Sequence, residues 1–499
     1  MIKRNFFKKT RNNNNNNLNP HQQAIKFLSG LNYPGLFDFS YLRKWTLIGI
    51  LIGIVAGFSA VVFFLSVQFF TELFLGAGAG FVPPLPGGVV GGEGGQQQQQ
   101  HYYYLFIVER PWAFPLITGL GGLLVGLIVN KLAPEAEGHG TDAVIDAFHN
   151  KGGEIRTRIP FVKAIASAIT LGSGGSGGTE GPTAQITAGL GSMFGRLFKL
   201  NSQDKRIAVA AGLGAGIGSI FKVPLGAALF SAEVFYRRDF EVQALLPSLI
   251  ASVTGYTIFG FIFGWAPIFS IPKDLVRYIH PESLVLYAIL GLVCAAASIL
   301  YVRTFYAIQK YFFYYSKMKK VPNFLKPAVG GVLVGIIGIW LPQVLGPGYG
   351  WLQLAILGNH NLLPLWIILA LVLFKMLATS LTIGSGGSAG VFGPSMVIGG
   401  LLGAFVGSVC HSFGLFTWID VSSISIVGMV AFFSATAKTP LSTIIMGSEM
   451  TGGYALLAPM MLATFIAYAV SGQNNSIFKS QVAARSDSPA HNNNHKGEK

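Results

Sequence analysis

Long apolar runs alternate with short polar connections along this chain. Windows near 46–70, 115–132, 283–301, 327–341, 364–381 and 456–471 are poor in charge, and several approach the roughly 20 residues that a helix needs to cross a bilayer. Other apolar stretches are shorter or are cut by Gly and Pro. The pattern predicts an all-α integral membrane protein, a bundle of tilted and broken helices. Polar and low-complexity sequence lies outside it. Residues 12–17 are all Asn, 77–104 pass from Gly-rich sequence into GGEGGQQQQQHYYY, and the chain turns polar again from about 484. Such compositions have little to bury. They predict a partly disordered arm over 1–44, a flexible loop at 77–104, and a tail at 483–499 too short for a soluble regulatory domain.

Composition supports the membrane reading, with 51% hydrophobic and only 11% charged residues among 499. A net charge of +15 could point to nucleic acid. The basic residues, however, lie in short connections and tails and form no stripe on a soluble face, so no nucleic-acid partner is expected. Lys3, Arg4, Lys8, Lys9 and Arg11 near the N-terminus fit the positive-inside rule. So do Arg303, Lys310, Lys317, Lys319, Lys320 and Lys326 in one connection, and both regions are assigned to the cytoplasm of a plasma (inner) membrane. Cys294 and Cys410 sit in apolar runs and can build neither a disulfide framework nor a metal cluster. The basic N-terminus leads into the Asn tract, not into an apolar core, so the run from 46 is read as a retained membrane helix.

An internal repeat carries more information. GSGGSGGTEGP at 172–182 returns as GSGGSAGVFGP at 384–394, identical at eight of eleven positions with an offset of 212 (384 − 172). FKVPLGAALFSAE at 221–233 is echoed by AKTPLSTIIMGSE at 437–449, an offset of 216 (437 − 221). The chain is accordingly divided into a first membrane repeat at 45–265, a connecting segment with a membrane helix at 266–326, and a second repeat at 327–482. Transporters built from repeats commonly place their site where helices are broken at corresponding Gly/Pro points. Both Gly-rich motifs are such points. A phosphate cradle is disfavoured, since no GK[ST] follows and no strand precedes. Glycine instead lets backbone N–H groups approach an ion, while Pro182 and Pro394 fall near a helix start, where a missing donor costs little. Helix N-termini converging at mid-membrane attract an anion without a full positive charge. Glu180 lies inside the first motif, and a carboxylate at that depth costs about 2.5–3.5 kcal/mol on insertion scales, so it is read as functional. It can occupy the anion's place and leave when protonated or displaced, which makes it a gate; the bland alternative is a surface Glu at the membrane edge.

These stretches resemble the CLC family of chloride channels and proton/chloride antiporters, over about residues 45–491. The family's three signatures appear as GHGTD at 138–142, preceded by PEAE, then GTEGP at 178–182 and GVFGP at 390–394. The resemblance implies an inverted-repeat helical fold of prokaryotic type without C-terminal CBS domains. It also implies a homodimer with one anion pathway per subunit, lined by Gly138, His139, Gly140, Gly181, Gly390, Val391, Phe392 and Phe478 and gated by Glu180. Amides of Val391 and Phe392 are expected at the central anion. Four positions depart from the family pattern. His139 replaces the usual Ser, offering a hydrogen bond or a pH-dependent charge, or else packing as a neutral ring. Thr179 replaces a basic residue. Phe478, in SIFKSQV, replaces the pore tyrosine, leaving the anion its ring edge and neighbouring amides. Val234 stands where antiporters usually carry a proton-transfer Glu; Glu233 beside it is a candidate proton relay, although its repeat mate Glu449 suggests a structural role at a helix end. These departures favour passive or loosely coupled chloride conduction, with proton/chloride exchange as the alternative and fluoride transport as a narrower one. No cofactor is expected; the partners are chloride, protons in the exchange reading, lipid and a second copy of the chain. An intramembrane enzyme is disfavoured, because the nine histidines show no HExxH spacing and several lie in polar tails.

Overall fold

In the computed structural model, residues 39–87, 108–272, 280–358 and 363–492 are described. The Asn tract and the Gln-rich part of the 77–104 loop lie outside them. The chain divides into Met1–Trp45 and Thr46–Lys499; the site belongs entirely to the second unit. Among the described residues, β structure is limited to isolated bridges. The rest is helix and connection, as the apolar pattern predicts.

Sixteen described helices have eight or more residues. The first eight are α1 (Phe39–Thr71), α2 (Phe114–Leu132), α3 (Thr141–Asn150), α4 (Arg158–Gly172), α5 (Glu180–Leu197), α6 (Ser202–Phe221), α7 (Pro224–Glu233) and α8 (Val242–Phe263). The second eight are α9 (Leu284–Tyr314), α10 (Lys326–Trp340), α11 (Tyr349–Ile356), α12 (Leu365–Gly384), α13 (Phe392–Ser412), α14 (Val421–Ala437), α15 (Pro440–Thr451) and α16 (Leu457–Val470). Each series opens with a helix of more than 30 residues and places its shortest members third and seventh, so the order of parts in one is the order in the other. After α1 the chain continues through a π-helical turn, Glu72–Gly76, and Ala77–Ala79, so the expected loop at 77 starts only at Gly80, whose φ of 65° ends the helix.

Among the described residues, seven helical segments are long and apolar enough to cross a membrane. Two of them, α8 and α13, are missing from the apolar windows read in the sequence. Pro247 and scattered Ser, Thr and Gly dilute α8. In α13 the cause is packing. Of its most apolar window 83% is buried inside the protein, so lipid scarcely selects its side chains. A Cβ at Gly399 would stand 2.5 Å from the Gly428 carbonyl of α14, and one at Gly428 would stand 2.6 Å from the Gly399 carbonyl. Glycine there lets two backbones touch, the small-residue packing that membrane helices use in place of hydrophobic contrast.

The repeated motifs fold alike. α4 and α12 are both followed, two residues past their last residue, by a glycine with positive φ, Gly174 at 94° and Gly386 at 105°. The next amide closes each end, Gly175 N–H on Thr170 O at 2.8 Å and Gly387 N–H on Thr382 O at 3.0 Å. The two loops then cross. Ser176 N–H donates to Thr382 Oγ1 at 3.0 Å, and Ser388 N–H to Thr170 Oγ1 at 3.4 Å. Each half thus clips its partner's loop to its own helix, a reciprocity that an inverted two-fold arrangement produces.

Candidate functional site

All three motifs meet at the seam between the repeats. Gly178 and Gly390 exchange both backbone hydrogen bonds at 2.7 Å, an antiparallel rung between the two Gly-rich turns. The GHG turn lies against the same rung, with Gly138 N–H bonded to Gly387 O at 3.1 Å. Gly140, at φ 82°, caps α3, and a Cβ on it would sit 2.6 Å from Gly181 O. Gly181 packs in turn against the His139 carbonyl, and a Cβ there would be 2.9 Å from Gly390 Cα. Glycine at 140, 181 and 390 is therefore a condition of the approach. The starts of α3, α5 and α13 are brought together in one buried region, where their partial positive ends add.

Glu180, the first residue of α5, is fully buried, and its carboxylate lies across the seam at the start of α13. Oε2 accepts from Gly393 N–H at 3.1 Å. Oε1 accepts from Thr179 Oγ1 at 3.1 Å and from the Tyr349 hydroxyl. Sequence reasoning expects the amides of Val391 and Phe392 at the anion; the carboxylate takes the next amide along the same helix end. Val391 is the N-cap residue of α13, and Phe392 packs its ring against Phe433 (4.0 Å between centroids) and Phe221 (4.9 Å), an apolar plug behind the donors. Donors that suit a carboxylate oxygen suit a halide as well, so the place held by Glu180 is one an anion can contest.

His139 is buried, with its ring 5.5 Å from Phe478 and 6.2 Å from Phe305, and its Nδ1 finds no hydrogen-bond partner among the described residues. Phe478 is buried too, and its own amide is turned to Ser476 Oγ at 3.1 Å, which leaves the ring as what it presents towards His139. Glu233 lies apart from this cluster. Its carboxylate accepts from Leu441 N–H (3.1 Å), Ser442 N–H (2.8 Å) and Ser442 Oγ (2.5 Å), capping α15. Glu449 does the same for α7 through Leu225 N–H (3.1 Å) and Gly226 N–H (2.8 Å). The pair are reciprocal helix caps.

Three side chains at the seam escape sequence reasoning. Lys163, on α4, is buried and spends its Nζ on Ala136 O (3.0 Å) and Gly138 O (2.7 Å), fixing the GHG turn. Lys375, on α12, does likewise with Val344 O (2.9 Å) and Gly346 O (2.7 Å). They lie 212 positions apart (375 − 163), the offset of the Gly-rich motifs, so the repeat itself is the signal that could have found them. The third is Tyr349. Its loop, PQVLGPGY at 342–349, echoes PEAEGHGT at 134–141 in the spacing of its Pro and Gly residues, 208 positions on (342 − 134).

A family model described as voltage gated chloride channel matches residues 121–472, more than half of the chain. The chain belongs to this family. Among its CLC relatives, an H(+)/Cl(-) exchange transporter, ClcA, of Citrobacter koseri is 30% identical over 378 residues, covering 74% of this chain and 78% of the relative. The crystal structure of a slow cyanobacterial Cl-/H+ antiporter matches with a TM-score of 0.70 and 22% identity over 86% of this chain and 94% of that one. A CLC-type fluoride/proton antiporter matches with a TM-score of 0.70 and 19% identity over 90% and 99%. These two likenesses show the CLC fold, and the motifs described above lie within the matched span or beside it.

Proposed function

We propose that this protein moves chloride across a membrane in exchange for protons, with Glu180 serving as both gate and proton carrier. One observation carries the reading: the Glu180 carboxylate lies on the N-terminus of the opposite repeat's helix, where an anion is best held. Protonation removes the charge that competes for that place, so a proton taken up by Glu180 admits an anion. Exchange is preferred over the passive conduction that Val234 and Phe478 suggest in the sequence, because the ClcA relative is named as an exchanger. Passive or loosely coupled conduction keeps one observation in its favour. Glu233, the candidate relay, has its carboxylate spent on three donors of α15, bonding that suits the structural role at a helix end better than a relay.

The pathway residues are proposed as Gly138, His139, Gly140, Gly181, Gly390, Val391 and Phe392, with Gly393, Thr179 and Tyr349 added from geometry and Phe478 as an apolar wall. The repeats are proposed as α1–α8 and α9–α16, which moves α9 from the 266–326 connector into the second repeat. A homodimer in the plasma (inner) membrane, with the N-terminus cytoplasmic, completes the reading. The deciding measurement is the reversal potential of reconstituted protein under opposed chloride and proton gradients. Exchange predicts that chloride running downhill drives protons uphill at a fixed ratio; a reversal potential that follows chloride alone returns the reading to passive conduction. Repeating the measurement with fluoride and nitrate ranks the anions.

A further inference from the structure

Tyr349 is the first residue of α11, and the chain before it is held in place from several sides. Gly346 and Gly348 turn with φ of 63° and 89°, and Lys375 Nζ grips the carbonyls of Val344 and Gly346. The ring stands edge-on to Phe221, 6.1 Å between centroids, and 6.4 Å from Phe269. Packing alone would be served by Phe. The hydroxyl instead donates to Glu180 Oε1, and a Cβ at Gly393 would run into the same hydroxyl, which places it over the α13 N-terminus beside the carboxylate. On its other side Tyr349 lines a cavity of about 340 Å³ with Thr179, Gln68, Glu72, Phe221 and Ile268, at the end of α1 remote from the N-terminus. It therefore touches both the Glu180 carboxylate and this cavity.

We propose that Tyr349 is a positioning residue of the gate: its hydroxyl holds the charged Glu180 carboxylate in the anion's place and so sets how readily protons and anions displace it. The inference rests on the gate reading of Glu180. Other charged or titratable groups near the seam are engaged elsewhere or stand back. Lys375 on α12 serves the Val344 and Gly346 carbonyls, Lys163 on α4 serves Ala136 and Gly138, Glu72 lines the cavity without bonding the Glu180 carboxylate, and His139 faces Phe478. The carboxylate's side-chain partners are Thr179 and Tyr349, from opposite repeats. A phenol bonded to a carboxylate favours its charged form, and losing it makes protonation easier.

The test is chloride efflux from proteoliposomes as a function of pH for the natural protein, Tyr349→Phe, Glu180→Gln and the double variant. With Tyr349→Phe the midpoint of acid activation is expected to move towards neutral pH by about one unit, the equivalent of losing a roughly tenfold hold on the charged form. Glu180→Gln should abolish the pH dependence, and Tyr349→Phe added to it should restore none. A role in packing alone would lower flux at every pH and leave the midpoint in place, which overturns the inference. If Glu180→Gln keeps the full pH dependence, the gate reading itself fails. If Glu180→Gln removes that dependence while Tyr349→Phe keeps the natural midpoint, only the role of Tyr349 fails. Thermal unfolding of Tyr349→Phe in detergent serves as the control, with a native-like midpoint expected.

Discussion

Adding a methyl group at position 140 probes how closely the three motifs approach. Gly140→Ala forces an L side chain to φ 82° and drives its Cβ towards Gly181 O. With ψ at −49° this lies outside the left-handed α region, in a conformation that costs an L residue about 1–3 kcal/mol. Transport is expected to fall below detection, while the folded fraction in detergent drops only modestly; near-normal flux would mean that the approach is looser than described. At this scale the sequence is uneven. Glu180 is legible because a charge set among glycines between membrane helices is costly to keep there unless an ion pathway uses it. Tyr349 is illegible by composition, since a tyrosine at the start of a short helix resembles any interfacial aromatic and its meaning comes from a partner 169 positions away. His139 stands out as a departure in a motif, yet the contacts that define it, the Phe478 and Phe305 rings, come from distant segments.

Among the helices, the reciprocal caps are the most exposed to experiment. Glu449→Ala leaves Leu225 N–H and Gly226 N–H without their acceptor, and such a loss typically costs about 0.5–2 kcal/mol. Glu233→Ala is expected to cost at least as much, because three donors lose their acceptor. Denaturant unfolding in mild detergent measures both, and the two losses should add, since the caps share no partner. If Glu233→Gln changed the proton-to-chloride ratio without lowering stability, Glu233 would be a relay after all. Most helices set among lipid are legible in the sequence because hydropathy reports them directly; α8 is the exception, diluted by Pro247 and its Ser, Thr and Gly. α13 is hidden because protein surrounds it, and its glycines serve contact with α14, so the apolar signal is traded for small size. The repeat offset is what compensates, since it marks equivalent helices whatever their hydropathy.

For the whole molecule, the polar tail acquires a place that its composition does not suggest. Arg237 N–H donates to Val482 O at 3.0 Å and Arg206 to Ala490 O at 2.7 Å, while His149 Nδ1 lies 2.7 Å from Ser488 Oγ. Glu241 is the anchor, meeting Arg485 at 3.1 Å, His491 at 3.1 Å and the Tyr236 hydroxyl at 2.7 Å. Burial raises its pKa, but hydrogen bonds from His491 and Tyr236 and the charge of Arg485 outweigh that and hold it below the usual carboxylate range. A lowered carboxylate pKa stabilises the folded arrangement above the unfolded value, and that contribution is lost as pH falls through the folded one. Segment 484–491 is therefore expected to stay protected from proteases at neutral pH and to become cleavable in acid, below the ordinary carboxylate range. Glu241→Gln should expose it already at neutral pH.

The paired bonds between Gly178 and Gly390 carry a further implication. One glycine comes from each half of the chain, so the proposed anion site is a suture, owned by neither half alone. Expressing the halves as separate polypeptides should yield no conductance from either, and activity should return only where the two are stitched back together in one bilayer.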